Sequence, residues 1–182
     1  MPDHALAYFL TIRTYGTWLS GDARGSVDDE HRAFGEPFRL RDDLRNQYQQ
    51  RLMKGQAARI SPAMRTVIEA EVQRTCAYRA WELYAVNVRT NHVHLVVGAE
   101  PPPEDVMREL KVYATRALRR AGLLGRQAPM WSAHGSTRYA WDEDDAETCI
   151  AYTLDAQGDD LPGSGWRAAR DGRDTGARSH RP

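Results

Sequence analysis

The chain has 182 residues, 25 Lys+Arg balanced by 25 Asp+Glu, 41% hydrophobic residues and a mean hydropathy of −0.67. That length suits one domain, and the balanced charge gives no overall field drawing it to nucleic acid or membrane. No run approaches the roughly 18 apolar residues of a membrane span, the opening MPDHALAYFL lacks the basic flank and long apolar stretch of a secretory leader, and two cysteines, Cys76 and Cys149, are too few for a disulfide scaffold or a Cys-rich zinc module.

A reducing, cytoplasmic location is the expectation. Only Lys54 and Lys111 are lysines, so the positive charge is almost all guanidinium, a group whose fork suits phosphate.

In chain order, residues 5–14 (ALAYFLTIRT) are apolar and β-branched and predict a first strand. Residues 20–40 carry glycines, acids and a proline without a period and read as a long exposed loop. Residues 41–54 read as a polar helix, so a loop or insertion occupies about 20–60. A firmer helix starts at Ser61-Pro62, a cap followed by a proline at the first helical position. Met64, Val67, Ile68, Val72 and Cys76 mark one face of it, and it runs to about Trp81.

Leu83–Arg89 and His92–Gly98 read as two strands joined by a tight turn at Thr90-Asn91. In the second, Val93, Leu95 and Val97 share one face, and His92, His94 and Val96 the other. Pro101 to Pro103 lead into a helix striped by Val106, Leu110, Tyr113, Ala114, Ala117 and Ala121, with Gly122 and Gly125 ending it. Tyr113, inside this stripe, is expected in the core.

Residues 136–141 predict a short strand. A last helix follows Asp142, whose cluster of acids suits the positive end of a helix dipole. Its core stripe is Ala146, Cys149, Ile150 and Leu154, and Gly158 stops it. Residues 158–182, with five Arg and four Asp and little apolar content, are expected to be a disordered tail behind a domain spanning 1–157.

Strand–helix–strand–strand–helix–strand–helix is the split βαβ order. The fold class is α+β: a ferredoxin-like (RRM-like) antiparallel sheet with helices on one face and an added C-terminal helix.

The strongest chemical signal is His92-Val93-His94. Residues two apart in a strand point to the same side about 6.5–7 Å apart, so the two imidazoles can converge on one divalent ion while Val93 anchors the strand. Two exposed sheet histidines without a ligand are the plain alternative. With no further His or Cys nearby, another ligand must be an oxygen from a distant element. Tyr152 lies about 120° or more from the centre of its helix's apolar stripe, where packing does not call for an aromatic. Asp155, one turn on, and Gln157 both offer an oxygen if this helix crosses the histidine face.

Thr11-Ile12-Arg13-Thr14, Asn91-His92-Val93-His94-Leu95-Val96-Val97, Glu109-Leu110-Lys111 and Ile150-Ala151-Tyr152…Gln157 together resemble the single-tyrosine HUH transposases of the IS200-like kind. Within them, the branch associated with repetitive extragenic palindromes is the most similar. The resemblance covers about residues 5–158. It implies a metal-dependent single-stranded DNA endonuclease and strand transferase, acting on hairpin or palindromic DNA and often a homodimer. His92 and His94 would bind Mg²⁺ or Mn²⁺, and Tyr152 would form a 5′-phosphotyrosine. The family's glutamine or asparagine, usually four residues after the tyrosine, completes the metal site. Here position 156 is Ala and Gln157 comes fifth, about 140° from Tyr152 on an ideal helix. Either the helix loosens before Gly158, or Asp155 takes the ligand role, or the site has drifted.

Lys111, Arg116, Arg119, Arg120 and Arg126 form a stretch without an acid, which reads either as a DNA-backbone contact or as a solvated helix face. Arg138, Tyr139 and Trp141, with His134 in a loop before them, suit clamping of unpaired bases, and Trp141 equally suits the core. The alternative to an enzyme is a domesticated, non-catalytic hairpin-binding protein on the same scaffold. An RRM-like RNA-binding module is a third reading, without the expected aromatic pairs on its central strands.

Overall fold

A computed structural model describes residues 4–19, 42–53, 55–159 and 161–164. The 20–40 segment read as a loop, and positions 165–182 of the expected tail, lie outside the described residues.

Among the described residues, four strands and four helices follow in the order β1 (Ala7–Thr14), α1 (Asp43–Leu52), α2 (Pro62–Arg79), β2 (Glu82–Val88), β3 (His92–Gly98), α3 (Pro103–Arg120), β4 (Trp131–Ala140) and α4 (Glu143–Asp155). The sheet runs β2-β3-β1-β4 with every neighbouring pair antiparallel, the α+β arrangement expected. The ends form for local reasons: the side chains of Asp42, Ser61 and Asp142 accept hydrogen bonds from Arg45, Met64 and Asp145 backbone N–H groups at the starts of α1, α2 and α4. Arg89 N–H donates to the His92 carbonyl at 2.8 Å and closes the two-residue turn.

The alternation in β1 and β3 sorts their residues onto two faces. Leu10, Ile12, Val93, Leu95 and Val97 join Ile68, Val72 and Cys76 of α2 and Val106, Leu110 and Leu118 of α3 in the main core. On the opposite face Ala7, Ala85, Val96 and Ala140 pack against Ala146, Cys149 and Leu154 of α4. The added helix therefore lies across the histidine face.

The strand expected at 136–141 begins earlier, at Trp131, so His134 is a strand residue and not a loop residue. β4 lies at a sheet edge and is largely exposed, so it lacks the apolar alternation that reveals a strand. Its Gly135 reads as a loop glycine, yet it is required by close approach: a Cβ there would collide with Met107 Sδ and the Thr11 carbonyl oxygen.

Two stripes also shift. Tyr113 is half-buried beside Arg116, whose guanidinium carbon lies 5.6 Å from its ring, and Leu118 is the fully buried residue in its place. Ala121 falls beyond the end of α3 and is exposed. In α4, Thr153 is fully buried by bonding back to the Cys149 carbonyl at 2.8 Å, and Ile150 is half-buried. Trp141 is exposed and stacked on Tyr139 at 5.7 Å, which removes the core reading for it.

After α4 the chain turns at Gly158 (φ +77°) and returns to α2. Arg89 Nη1 donates to the Asp159 carbonyl (2.9 Å), Thr66 Oγ1 to the Gly163 carbonyl (3.1 Å) and Ser164 Oγ to Glu69 Oε1 (2.9 Å).

Candidate active site

The face of β1 that carries Phe9, Thr11 and Arg13 meets the face of β3 that carries His92 and His94. Antiparallel register places Thr11 opposite His94 and Arg13 opposite His92. The histidine ring centroids are 4.5 Å apart. A cleft of about 420 Å³ opens above them, lined by Phe9, Thr11, Arg13, Trp18, His92, His94, Arg138, Tyr152 and Gln157. Two guanidinium groups and no carboxylate stand in that lining, so on a chain of zero net charge the cleft is locally suited to an anion.

Each imidazole is oriented through Nδ1. His92 Nδ1 lies 2.8 Å from Asn91 Oδ1, and His94 Nδ1 lies 3.0 Å from Thr11 Oγ1. The amide oxygen can only accept, so His92 donates from Nδ1, and in the neutral ring the lone pair lies on Nε2. Burial, then the charges of His92, Arg13 and Arg89, push the pKa of His94 down to about 3. Its ring is therefore neutral at physiological pH, and in the tautomer that donates from Nδ1 to Thr11 Oγ1 the lone pair lies on Nε2. Two imidazoles with Nδ1 anchored are, in their neutral forms, a donor pair of the kind that binds divalent metals. Among the described residues no group of three or more His, Cys, Asp and Glu side chains gathers to hold a metal ion, so the further ligands that these residues offer are amide and hydroxyl oxygens.

α4 brings Tyr152 to this pair from the same chain. The Tyr152 ring packs edge-on against His94 (5.8 Å between centroids) and Phe9 (5.7 Å), while about half of the residue stays exposed. Ala156 already leaves helical geometry (φ −91°, ψ 8°), and Gln157 Nε2 lies 3.4 Å from the Tyr152 carbonyl oxygen. This loosening places Gln157 in the cleft despite the spacing, whereas Asp155 is exposed and outside the lining.

Arg138 also lines the cleft, with Nη2 3.2 Å from Asp145 Oδ1 of α4. Lys111, Arg116, Arg119 and Arg120 sit on α3, which packs against the other face of the sheet, and Arg126 follows that helix. Lys111 Nζ is engaged by the Ser132 and Ala133 carbonyls at 3.0 and 3.1 Å. These five cations are not brought to the histidines.

Phe9, Thr11, Arg13, Trp18 and Asn87 acquire site positions that sequence reasoning did not assign. Buried Asn87, opposite His94 in the β2–β3 register, donates from Nδ2 to the Thr153 carbonyl at 2.8 Å and ties the last turn of α4 to the sheet. The alternation Phe9-Thr11-Arg13 against Tyr8-Leu10-Ile12 was the signal available for β1. Nothing local marks Asn87 or Trp18.

A search of curated proteins finds no match. A solved structure entitled "Structure of the REP associates tyrosine transposase bound to a REP hairpin" is similar at a TM-score of 0.43 and 14% identity, over 82% of this chain and 65% of that chain. This chain thus spans somewhat under two thirds of that protein. A family model described as "Transposase IS200 like" matches residues 51–142, just over half of the sequence, from the end of α1 through the histidine strand to the end of β4. With both histidines inside that match, the chain belongs to the IS200-like transposase family.

Proposed function

We propose that this protein is a metal-dependent endonuclease and strand transferase for single-stranded DNA, with hairpin or palindromic DNA as substrate and Tyr152 as nucleophile. The observation that carries this reading is the meeting, within one chain, of an exposed phenol with two oriented imidazoles in a cationic cleft.

His92 and His94 through Nε2, and Gln157 through its amide oxygen, would hold the ion, Mg²⁺ or Mn²⁺. When bound, it acts as a Lewis acid on the phosphodiester. Thr11 and Asn91 keep the rings in the ligating tautomer. The cleft guanidiniums attract the DNA backbone, and Phe9 supports the tyrosine ring through their edge-to-face contact.

The Tyr152 oxygen attacks phosphorus: the Oη–P bond forms, the P–O3′ bond breaks, the phenol proton leaves to solvent and the departing 3′ oxygen gains one. The DNA stays attached as a 5′-phosphotyrosine. Attack by another 3′-hydroxyl reverses the exchange and joins a strand without an outside energy source. Neither step needs a second chain for the Tyr–His pairing, and a homodimer is proposed as the assembly that handles two DNA ends.

The non-catalytic alternative rests on the spacing of Gln157; the place of Gln157 in the cleft lining supports the catalytic reading. Incubation with labelled hairpin DNA and Mn²⁺ should give a denaturation-resistant protein–DNA adduct, absent in Tyr152→Phe and in the His92→Ala/His94→Ala variant. Hairpin binding by wild type without any adduct, or an adduct that persists in Tyr152→Phe, overturns the reading.

A further inference from the structure

We infer that Arg13, stacked on Trp18 beside His92, is a catalytic residue that holds a non-bridging oxygen of the scissile phosphate, and that Trp18 is its positioning residue. The inference rests on the proposed nuclease reading and deepens it.

Arg13 is the cross-strand neighbour of His92, one alternation along β1 from Thr11, which anchors His94. Its side chain therefore emerges on the face of the cleft that bears both imidazoles. The β1–β4 register is irregular at this point: Ile12 pairs with Gly135, but Thr14 pairs with Trp131, so β4 has extra residues opposite Arg13. Such bulges re-aim a side chain and are common beside active sites. Ser132 Oγ, whose one proton is directed to the His134 carbonyl at 2.8 Å, also lies 3.2 Å from the Arg13 carbonyl.

The guanidinium carbon lies 3.7 Å from the centroid of the Trp18 ring. Stacking sets the plane of the fork through its face and leaves the in-plane N–H donors with their direction defined, which is the arrangement that suits a phosphate oxygen. Arg138 is less suited to this task. It enters from the Phe9 end of the cleft, away from His92. Attack by Tyr152 adds negative charge to the equatorial oxygens of phosphorus, and a fixed cation at those oxygens is stronger for the transition state than for the ground state.

The test uses the full chain, Mn²⁺ and a DNA hairpin that wild type cleaves, in two forms: the natural phosphodiester, and a methylphosphonate at the cut site in each diastereomer. The methylphosphonate removes the charge that Arg13 is proposed to meet. On the phosphodiester, Arg13→Ala should slow single-turnover adduct formation about 10²- to 10³-fold with hairpin affinity within about threefold, and Arg13→Lys should recover part of the rate. On at least one methylphosphonate diastereomer the gap between wild type and Arg13→Ala should shrink at least tenfold. Trp18→Leu should lower the rate about tenfold, again without changing affinity.

Thermal melting accompanies each variant, and Arg13→Lys serves if Arg13→Ala does not fold. An Arg13→Ala rate within threefold of wild type, a loss that resides in affinity, or an equal loss on both backbones overturns this inference while leaving the tyrosine reading intact. Absence of any wild-type adduct overturns the tyrosine reading, and this inference with it.

Discussion

Toward α2 and α3 the sheet buries branched aliphatic side chains, Leu10, Ile12, Val86, Val88, Val93, Leu95 and Val97, against more of the same. Toward α4 it buries alanines and one valine, Ala7, Ala85, Ala140 and Val96, against Ala146, Cys149 and Leu154. Apolar burial contributes about 25 cal/mol per Å², so the first face carries most of the stability and the second holds its helix lightly. What the α4 face lacks in aliphatic volume it has in polar groups with fixed partners: Thr11 with His94, Asn91 with His92, Asn87 with Thr153. The candidate site lies where packing is thin, and the polar atoms and substrate access that the proposed chemistry needs are what a full aliphatic core excludes.

The sharpest break between the faces is a core truncation. Leu118, fully buried on α3, is far from the cleft chemistry. Leu118→Ala should cost about 2–5 kcal/mol and lower Tm by roughly 4–20 °C at this chain length. Adduct formed per folded molecule should match wild type when the comparison is made well below the new midpoint. A specific loss of chemistry in that variant would show that the two faces are coupled.

Asn87→Leu addresses the lighter face. It leaves the Thr153 carbonyl without its sheet donor, a cost of about 1–3 kcal/mol, and unties the turn that carries Tyr152. Cleavage should fall about tenfold at unchanged hairpin affinity, since misplacing a nucleophile acts on rate. Titration of the hairpin with single-turnover rates at saturation separates the two. An affinity loss alone would show that Asn87 does not set the tyrosine's position.

The same contrast explains what the sequence reveals. Helix and strand periodicity is written by the thick face, so the stripe on α2 and the alternation of Val93, Leu95 and Val97 are readable directly, and the histidines follow as the residues left over. Tyr152 is legible for the same reason, as an aromatic off its helix's stripe. The edge strand β4 is not, because only one side of it is paired and most of its side chains meet water. Nor is the entry of Gln157 into the cleft, which depends on the helix relaxing at Ala156 and on the following residues being held by Arg89 and Thr66. Asn87 is polar in an apolar strand, and its partner is a backbone carbonyl 66 residues away, which no local pattern encodes.

Each face holds one cysteine, which makes the contrast measurable in a single sample. Cys76 lies beneath α2 and Cys149 beneath α4, and burial raises both thiols, Cys76 to about 12. Below pH 9, the unfolded value, Cys76 is a thiol in both states, and its contribution to stability is complete. Between 9 and 12 the unfolded thiol ionises first, so stability declines, by about 1 kcal/mol at pH 10. Urea melts at pH 7.5 and 10 should show this decline in wild type and a smaller one in Cys76→Ala. Native alkylation at pH 8 should label Cys149 before Cys76, because the thin face opens at lower free energy. Equal labelling rates would mean that α4 is held as firmly as α2.

The smallest effect is expected at Lys111, and it separates an architectural cation from a DNA-binding one. Lys111 is half-buried and its ammonium group donates to two carbonyls of β4, while Trp131 Nε1 donates to the Lys111 carbonyl at 3.1 Å. Lys111→Met keeps the apolar stem and loses the charged bonds, so stability should fall by about 1 kcal/mol. A lysine that contacts a phosphate releases counterions, and its removal would flatten the salt dependence of DNA binding by about one unit of slope. Because Lys111 is turned into the α3–β4 junction, the slope should stay unchanged and hairpin affinity should hold within twofold across salt concentrations. A slope lowered by one unit would return Lys111 to the DNA contact and place part of the nucleic acid on the α3 side of the sheet.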